Sequence, residues 1–151
     1  MRIIFTSDIH RKKEIVNEIM INYYADEFYD CGDSELSDYD LKNFYTVKGN
    51  CDFRFFPNYR IVKVDEFLKI FITHGHLYKE TKMIELAKEN GCNLIVHGHT
   101  HVKRLDKIDD IYIANPGSIA RPRDKESNTF LILDYNESNK ELVFEFVKLS
   151  L

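Results

Sequence analysis

Every histidine of this chain stands shortly after an apolar run, and this arrangement restricts the fold more than any other feature of the sequence. The six histidines are confined to three places: His10, then His74 and His76, then His97, His99 and His101. Each place follows a run typical of a buried strand. In α/β proteins, strands carry functional side chains to a crevice at the carboxyl edge of the sheet. The pattern therefore predicts an α/β chain whose histidines gather at strand ends.

Oxygen donors accompany the histidines. Asp8, Asp33 and Asn50 also stand where predicted strands end. A set of imidazole and oxygen ligands without thiolate suits Mn²⁺, iron, Zn²⁺ or Ni²⁺ better than a cysteine-rich structural zinc site. One His-x-His on its own would more simply be a surface loop that holds histidines. The repetition at several strand ends favours a metal site.

The hydrophobic pattern predicts alternating strands and helices, followed by strands alone. Helical spacing of apolar residues predicts helices over 12–24 and 81–90, and the polar segment 34–40 is interpreted as a loop or the start of a helical turn. Strands are predicted over 2–6, 28–31, 44–48, 61–64, 68–73, 94–96, 102–108, 111–114, 129–135 and 142–149. We expect two packed sheets with helices outside.

Length and composition favour one ordinary globular domain spanning residues 1–151. The net charge of −4 argues against a broad basic surface for nucleic acid. The three cysteines are odd in number and form no C-x-x-C pair, so we expect a reducing, cytoplasmic location rather than a disulfide framework. The apolar run at the N-terminus is too short for a signal peptide, and no later segment is expected to span a bilayer.

The motifs, taken in order, resemble those of the calcineurin-like metallophosphoesterases. They are Asp8-x-His10, Gly32-Asp33, Gly49-Asn50, His74-Gly75-His76 and Gly98-His99-x-His101. The small size, the form Gly49-Asn50-Cys51-Asp52 and the run Asn115-Pro116-Gly117-Ser118 are most similar to the compact YfcE-type phosphodiesterase branch. The resemblance extends from residue 7 to about residue 118.

The resemblance implies a four-layer α/β/β/α sandwich of two mixed sheets flanked by helices, and a metal-dependent phosphodiesterase. It implies two divalent metal ions per chain, Mn²⁺ first, with Ni²⁺, Fe²⁺, Zn²⁺ or Mg²⁺ as alternatives. One ion would be held by Asp8, His10 and His101 and the other by Asn50, His74 and His99, with Asp33 between them. A hydroxide bridging the two metals would attack phosphorus in line, and Asp33, Asn50 and His74 would position the hydroxide and the phosphate.

Four neighbouring residues have less defined roles. Many relatives carry a histidine after Gly-Asn that can protonate the departing oxygen, whereas this chain has Cys51, and a thiol with a reference pKa of about 8.5 is a poorer acid at neutral pH. Good leaving groups should therefore be favoured. His76 is a candidate contact for substrate phosphate, and His97 is interpreted as a buried, hydrogen-bonded residue. Asp52 either orients its neighbours or is an ordinary turn carboxylate.

Two further segments carry open interpretations. Arg121 and Arg123 could clamp a phosphate, but a solvated basic turn explains them equally well. The aromatic segment 53–56 could stack on an aryl group or a nucleobase, although core packing or a subunit interface is the favoured use. Cys31 and Cys92 are expected to be small buried residues.

The function class follows from the completeness of the ligand set, because all seven positions carry competent side chains. A phosphomonoesterase, a nuclease and a non-catalytic protein-binding scaffold on the same fold are the alternatives. The expected partner is a small phosphodiester substrate, with no stable nucleic-acid complex and no membrane. The sequence leaves a homo-oligomer open.

Overall fold

A computed structural model describes residues 1–53, 55–121 and 128–149. Its elements in chain order are β1 Arg2–Thr6, α1 Lys13–Asn22, β2 Glu27–Asp30, α2 Asp38–Leu41, β3 Phe44–Thr46, β4 Tyr59–Lys63, β5 Lys69–Thr73, α3 Glu80–Glu89, β6 Leu94–Val96, β7 Arg104–Ile108, β8 Ile111–Asn115, β9 Thr129–Tyr135 and β10 Leu142–Lys148. The predicted strands and the two predicted helices are confirmed, with small differences at their ends. The polar segment 34–40 runs as a loop into α2, which Ser37 caps by accepting a hydrogen bond from the N–H of Asp40.

The strands form two mixed sheets. The order in the first sheet is β10-β9-β1-β2-β3, and the order in the second is β4-β5-β6-β8-β7. In the first sheet β1, β2 and β3 are parallel, and β9 and β10 return antiparallel to them. In the second sheet β5, β6 and β8 are parallel, and β4 and β7 form antiparallel edges. The C-terminal strands are therefore shared between both sheets instead of forming a sheet of their own.

Successive side chains on a strand point to opposite faces of its sheet, and this alternation separates the central core from the outer helical layers. On β1, Ile3 and Phe5 face the second sheet in the central core, whereas Ile4 faces α1. On α1, Ile15 and Ile19 lie one turn apart and pack on that outer face, and full burial of each contributes about 1.5–3 kcal/mol. On the other side α3 packs Met83 and Ala87 against Phe71 and Ile95 of the second sheet. This arrangement confirms the predicted α/β/β/α sandwich.

The parallel strands place their following loops side by side. In the first sheet Thr6 pairs with Asp30 and Asp30 with Thr46, so β1, β2 and β3 end at one level. In the second sheet the ends of β5 and β6 are aligned in the same way, through Ile72 and Val96. The loops 7–11, 31–35, 47–52, 74–76 and 97–101 follow these five strands. None of the helices in the described ranges is long and apolar enough to cross a bilayer.

Candidate metal centre

The loops that follow the strands have an unusual backbone. Five of the predicted ligands have φ angles between +45° and +72°, namely Asp8, His10, Asp33, His99 and His101. This left-handed region costs an L-residue about 1–2 kcal/mol, so it persists only where surrounding contacts enforce it. Here the N–H of Asp8 donates to the carbonyl of Gly32, and the N–H of His10 donates to the carbonyl of Asp33, both at 3.0 Å. The first two loops are therefore joined by their backbones.

Three imidazole rings are held by the same kind of hydrogen bond. Each donates from Nδ1 to an oxygen: His10 to Oε2 of Glu35 at 3.0 Å, His74 to the carbonyl of Cys31 at 2.8 Å, and His101 to the carbonyl of Arg121 at 2.8 Å. Carbonyl and carboxylate oxygens only accept, so the proton is assigned to Nδ1 in each ring. This assignment places the lone pair of each ring on Nε2.

These nitrogens converge on one carboxylate oxygen. Asp8 is fully buried, and its Oδ2 accepts a 2.7 Å hydrogen bond from Ser7. Its Oδ1 lies 3.2 Å from Nε2 of His101, 3.8 Å from Nε2 of His10 and 3.9 Å from Nε2 of His74. Within the described residues, this Oδ1 and Nε2 of His10 are buried without a hydrogen-bond partner. A buried anionic oxygen that faces lone pairs is costly unless a cation lies among them, so the donor set fits a divalent metal.

A second group of donors surrounds His74. Oδ2 of Asp33 lies 3.1 Å from its Nε2, and Oδ1 of Asn50 lies 3.0 Å from the same atom. The Asn50 oxygen is also 3.2 Å from Nδ1 of the exposed His99. Burial raises the pKa of Asp33, but attraction to His74 when that ring is protonated, together with the hydrogen bond from the N–H of Cys51, outweighs it and brings that pKa to about 2. Asp33 is therefore a carboxylate at neutral pH.

The two groups are contiguous. Ligand atoms of Asp8, His10 and His101 lie within 4.8 Å of one another, and so do those of Asp8, Asp33 and His74. Asp8 belongs to both sets, and the contacts of His74 extend the second set to Asn50 and His99. The structure thus brings all seven sequence-predicted ligand positions to one place, at the ends of strands from both sheets.

Asp52 fixes the loop that carries Asp33. Its carboxylate accepts backbone hydrogen bonds from Asp33 at 2.9 Å, Glu35 at 2.9 Å and Gly49 at 2.8 Å. Of the two interpretations given above, the orienting one is therefore confirmed. A Cβ at Gly49 would overlap Oδ1 of Asp33, which explains why the motif has glycine there.

Side chains of the segment 115–118 form hydrogen bonds with the loops that carry the candidate ligands. The Asn115 amide donates to the carbonyl of Gly98 at 3.2 Å and to the hydroxyl of Thr100 at 3.0 Å. The Ser118 hydroxyl donates to the carbonyl of Asp8 at 3.2 Å. The sequence marked this segment as a motif but did not predict its supporting role.

Comparison with known proteins identifies the family. The sequence matches the profile of the calcineurin-like phosphoesterase superfamily domain over residues 1–138. The chain belongs to this family. YsnB, a probable metallophosphoesterase of Bacillus subtilis, is 33% identical over 141 residues, which cover 88% of this chain and 83% of YsnB. The phosphodiesterase YfcE of Escherichia coli is 29% identical over 97 residues, which cover 58% of this chain and 50% of YfcE.

Solved structures agree with the phosphoesterase fold. A predicted phosphoesterase from Streptococcus pneumoniae superposes with a TM-score of 0.87 at 29% identity, covering 97% of this chain and 88% of that one. The zinc complex of Vps29 from Entamoeba histolytica superposes with a TM-score of 0.71 at 18% identity, covering 97% and 98% of the two chains. The second likeness shows the fold alone.

Three further residues singled out in the sequence lie beside the candidate ligands. The Asn50 amide lies 3.5 Å from Sγ of Cys51, and burial together with the nearby Asp33 raises the pKa of this thiol. The His76 ring lies 5.4 Å from the His74 ring, and burial lowers its pKa, as do the neighbouring histidines. His97 is buried and donates from Nδ1 to the carbonyl of Gly98 at 3.0 Å, which confirms its interpretation as a buried, hydrogen-bonded histidine.

Some expectations need correction. The expected core packing of the aromatic segment is wrong for Phe53 and Phe55, whose side chains are 93% and 105% exposed. Phe56 is partly buried and packs against the core beside α1. Arg121 is exposed and contributes its backbone carbonyl to the site, and Arg123 lies outside the described residues. The predicted burial of Cys31 and Cys92 is confirmed.

The sequence did not single out Glu35. It lies in the polar segment between β2 and α2, where nothing separated it from the other acidic residues nearby. The missing signal was the distance to His10, which only the fold provides.

Proposed function

We propose that this phosphoesterase is a divalent-metal-dependent phosphodiesterase. The observation that carries the proposal is the buried Oδ1 of Asp8, which has no hydrogen-bond partner among the described residues and faces Nε2 atoms of three histidines at 3.2–3.9 Å. Such a cluster is stable when cations separate the donors. Family membership supports phosphoester hydrolysis as the reaction.

The ligands divide between two metal positions in this proposal. The first position is formed by Asp8, His10 and His101, and the second by Asn50, His74 and His99. Asp33 lies between them, since its Oδ2 is 3.1 Å from His74 while the backbone of its loop binds that of Asp8 and His10. Mn²⁺ is the first candidate for the metal, with Ni²⁺, Fe²⁺, Zn²⁺ or Mg²⁺ as alternatives, because the donors are imidazole nitrogens and oxygens.

When bound, the two cations would supply positive charge for the phosphoryl oxygens and water of lowered pKa as the nucleophile. The chain itself supplies the positioning. Asp33 is fixed by the hydrogen bond from its N–H to Asp52 and by the one that its Oδ1 accepts from the N–H of Cys51, so it would hold the nucleophile and the phosphate at a constant place together with the neighbouring Asn50. His76 faces the same space, close to His74 and His99, and would contact a phosphate oxygen.

The residue beside Asn50 favours diesters with good leaving groups. The raised pKa of Cys51 keeps the thiol protonated but makes it a weak acid, so the departing oxygen would leave without strong proton donation. A monoanionic diester would also meet less repulsion from Asp8 and Asp33 than a dianionic monoester. A small phosphodiester is therefore the proposed substrate.

Cellular context follows from the same features. The cysteines of the described residues are free, and part of Cys51 is exposed next to the site. A reducing, cytoplasmic location is part of the proposal, because an oxidising compartment would favour disulfide formation at this thiol. The proposal includes no stable nucleic-acid complex and leaves a homo-oligomer to measurement.

The test is hydrolysis of an aryl phosphodiester and the matching monoester, with each divalent metal and with a chelator. Rates should require metal and should favour the diester. The variant His74→Ala should lose activity, whereas Glu66→Gln, on the exposed surface, should retain it. A preference for the monoester would replace the phosphodiesterase with a phosphomonoesterase. Metal binding without hydrolysis of either would favour a binding scaffold.

A further inference from the structure

The three inward-facing histidines differ in what holds them. His74 and His101 each donate Nδ1–H to a neutral backbone carbonyl, whereas His10 donates to the carboxylate of Glu35 at 3.0 Å. A carboxylate acceptor binds an imidazole N–H more strongly than a carbonyl does. It also makes the opposite nitrogen a more basic metal ligand. The first proposed metal position therefore has a carboxylate behind one of its ligands, and this carboxylate is also 3.7 Å from the exposed guanidinium of Arg11.

Backbone hydrogen bonds hold the loop that carries Glu35 in place. Its φ is +54°, and its N–H donates to Oδ1 of Asp52 at 2.9 Å. The preceding residue, Ser34, accepts a 2.8 Å backbone hydrogen bond from Arg11, next to His10. The side chains of Glu35 and His10 are only 12% and 4% exposed. The pair is thus a built, water-shielded contact.

We propose that Glu35 is a positioning residue that makes the first metal position, at Asp8, His10 and His101, the tighter of the two. It keeps the proton of His10 on Nδ1, so that Nε2 always faces the metal, and it strengthens that nitrogen as a donor. This inference rests on the proposed metal-dependent function and deepens it. Loss of such a supporting carboxylate commonly costs 10–100-fold in metal affinity.

The variant Glu35→Gln isolates the charge, because it preserves the size of the side chain and an oxygen that can accept from His10. Glu35→Asp provides a second variant that preserves the charge but shortens the reach. The matched control is Glu66→Gln, which removes a carboxylate whose side chain is 94% exposed and which binds Lys63 on the surface. A fourth variant, His74→Ala, disables the second metal position and leaves the first for measurement by itself.

The experiment titrates Mn²⁺ into the metal-free full chain. Binding is measured by calorimetry and by electron paramagnetic resonance of the free Mn²⁺. We expect two binding steps in the wild type. Glu35→Gln should weaken the tighter step about 10–100-fold and leave the weaker step nearly unchanged. The same loss should appear when Glu35→Gln is added to His74→Ala, and Glu66→Gln should match the wild type.

A second readout needs no metal. Long-range proton–nitrogen spectra of the metal-free protein at about pH 8, where most imidazoles are neutral, report which nitrogen of His10 carries the proton. The wild type should show one tautomer, with the proton on Nδ1, and Glu35→Gln should show a mixture. A single unchanged tautomer in the variant would remove the positioning role.

The failure of this inference differs from the failure of the proposed function. If the wild type binds no divalent metal, the proposed function falls and the inference with it. If the wild type binds two ions and Glu35→Gln binds both as tightly, only the inference falls. It falls also if Glu35→Gln weakens both steps equally and lowers the melting temperature of the metal-free chain, since Glu35 would then only maintain the loop.

Discussion

The Tyr135 hydroxyl donates a 2.7 Å hydrogen bond to the carboxylate of Asp65 and so joins the two sheets. Tyr135 ends β9 in the first sheet, and Asp65 lies in the turn before β5 in the second. Asp65 also accepts the N–H groups of Phe67 and Leu68, at 2.8 and 2.7 Å. These contacts lie at the start of β5, whereas the metal ligands follow its end. This hydrogen bond therefore joins the sheets at the edge remote from the site.

We expect Tyr135→Phe to lower the melting temperature without changing metal binding. The N–H of Leu68 and the Tyr135 hydroxyl lower the pKa of Asp65 in the folded chain. A lowered folded pKa gives stability above the ordinary Asp value of about 4 and loses it as the pH falls through the lowered pKa. The difference between wild type and variant should thus be constant near neutral pH and shrink in acid.

The matched control for that hydrogen bond is Tyr24→Phe. Tyr24 makes the same type of bond to Asp26, at 2.8 Å, but on the exposed surface and within one loop. Thermal melts of the three proteins at several pH values measure the effect. Equal melting temperatures for Tyr135→Phe and Tyr24→Phe would mean that the link between the sheets adds no stability.

Removal of metal should abolish hydrolysis and lower thermal stability. The Asp8 carboxylate faces lone pairs of its neighbours in the metal-free chain, so a bound cation stabilises the fold by mass action. At a free metal concentration 100 times the Kd, the gain is about 2.7 kcal/mol. Melting scans in chelator and in Mn²⁺, beside hydrolysis rates, test this. Full turnover in metal-free protein would contradict the metal centre.

Asp33→Asn should be the most damaging single ligand change. It removes the charge between the two proposed metal positions, whereas His10→Ala or His74→Ala should disturb one position first. Bound metal per chain and hydrolysis rate are the measurements. Asp110→Asn is the control, because Asp110 has a similar φ of +62° but lies in an exposed turn. Two bound ions and a near-normal rate in Asp33→Asn would contradict the position given to Asp33.

Cys51→His should narrow the preference for diesters over monoesters. A histidine with a reference pKa of about 6.5 can protonate a poor leaving group near neutral pH, which the thiol with its raised pKa does poorly. Cys51→Ser is the control, since a hydroxyl is no better an acid. The measurement is kcat/KM for one aryl diester and its monoester with all three proteins. An unchanged ratio in Cys51→His would show that residue 51 does not set specificity.

Much of the fold could be predicted from the sequence because its signals are local. Short continuous apolar runs gave β6 and β9 with their observed bounds, and the spacing of Ile15 and Ile19 gave α1. This local pattern could not predict which strands share a sheet, because β8 pairs with β6 and β9 pairs with β1 although the paired strands are far apart in the sequence.

The candidate site was likewise predictable where its signals are local in the sequence and unpredictable where they depend on the fold. The ligand types and their order are readable from the motifs, and the structure brings those residues together. Contacts such as that of Glu35 with His10, 25 residues apart, depend on how two loops fold against each other. Exposure of Phe53 and Phe55 was also unpredictable, because an aromatic run has the same composition whether it is buried or exposed.

The loops around the candidate metal centre come from both sheets. Asp8, His10, Asp33 and Asn50 follow β1, β2 and β3, and the three remaining histidines follow β5 and β6. Metal ions held by both groups would add a cross-link between two layers that are also joined by apolar packing and by hydrogen bonds such as those of Tyr135 with Asp65 and of His74 with the carbonyl of Cys31. Any sliding of one layer over the other would change the spacing of the acidic ligands from the imidazoles. The cohesion of the sandwich and the occupancy of its proposed metal site would therefore be thermodynamically coupled.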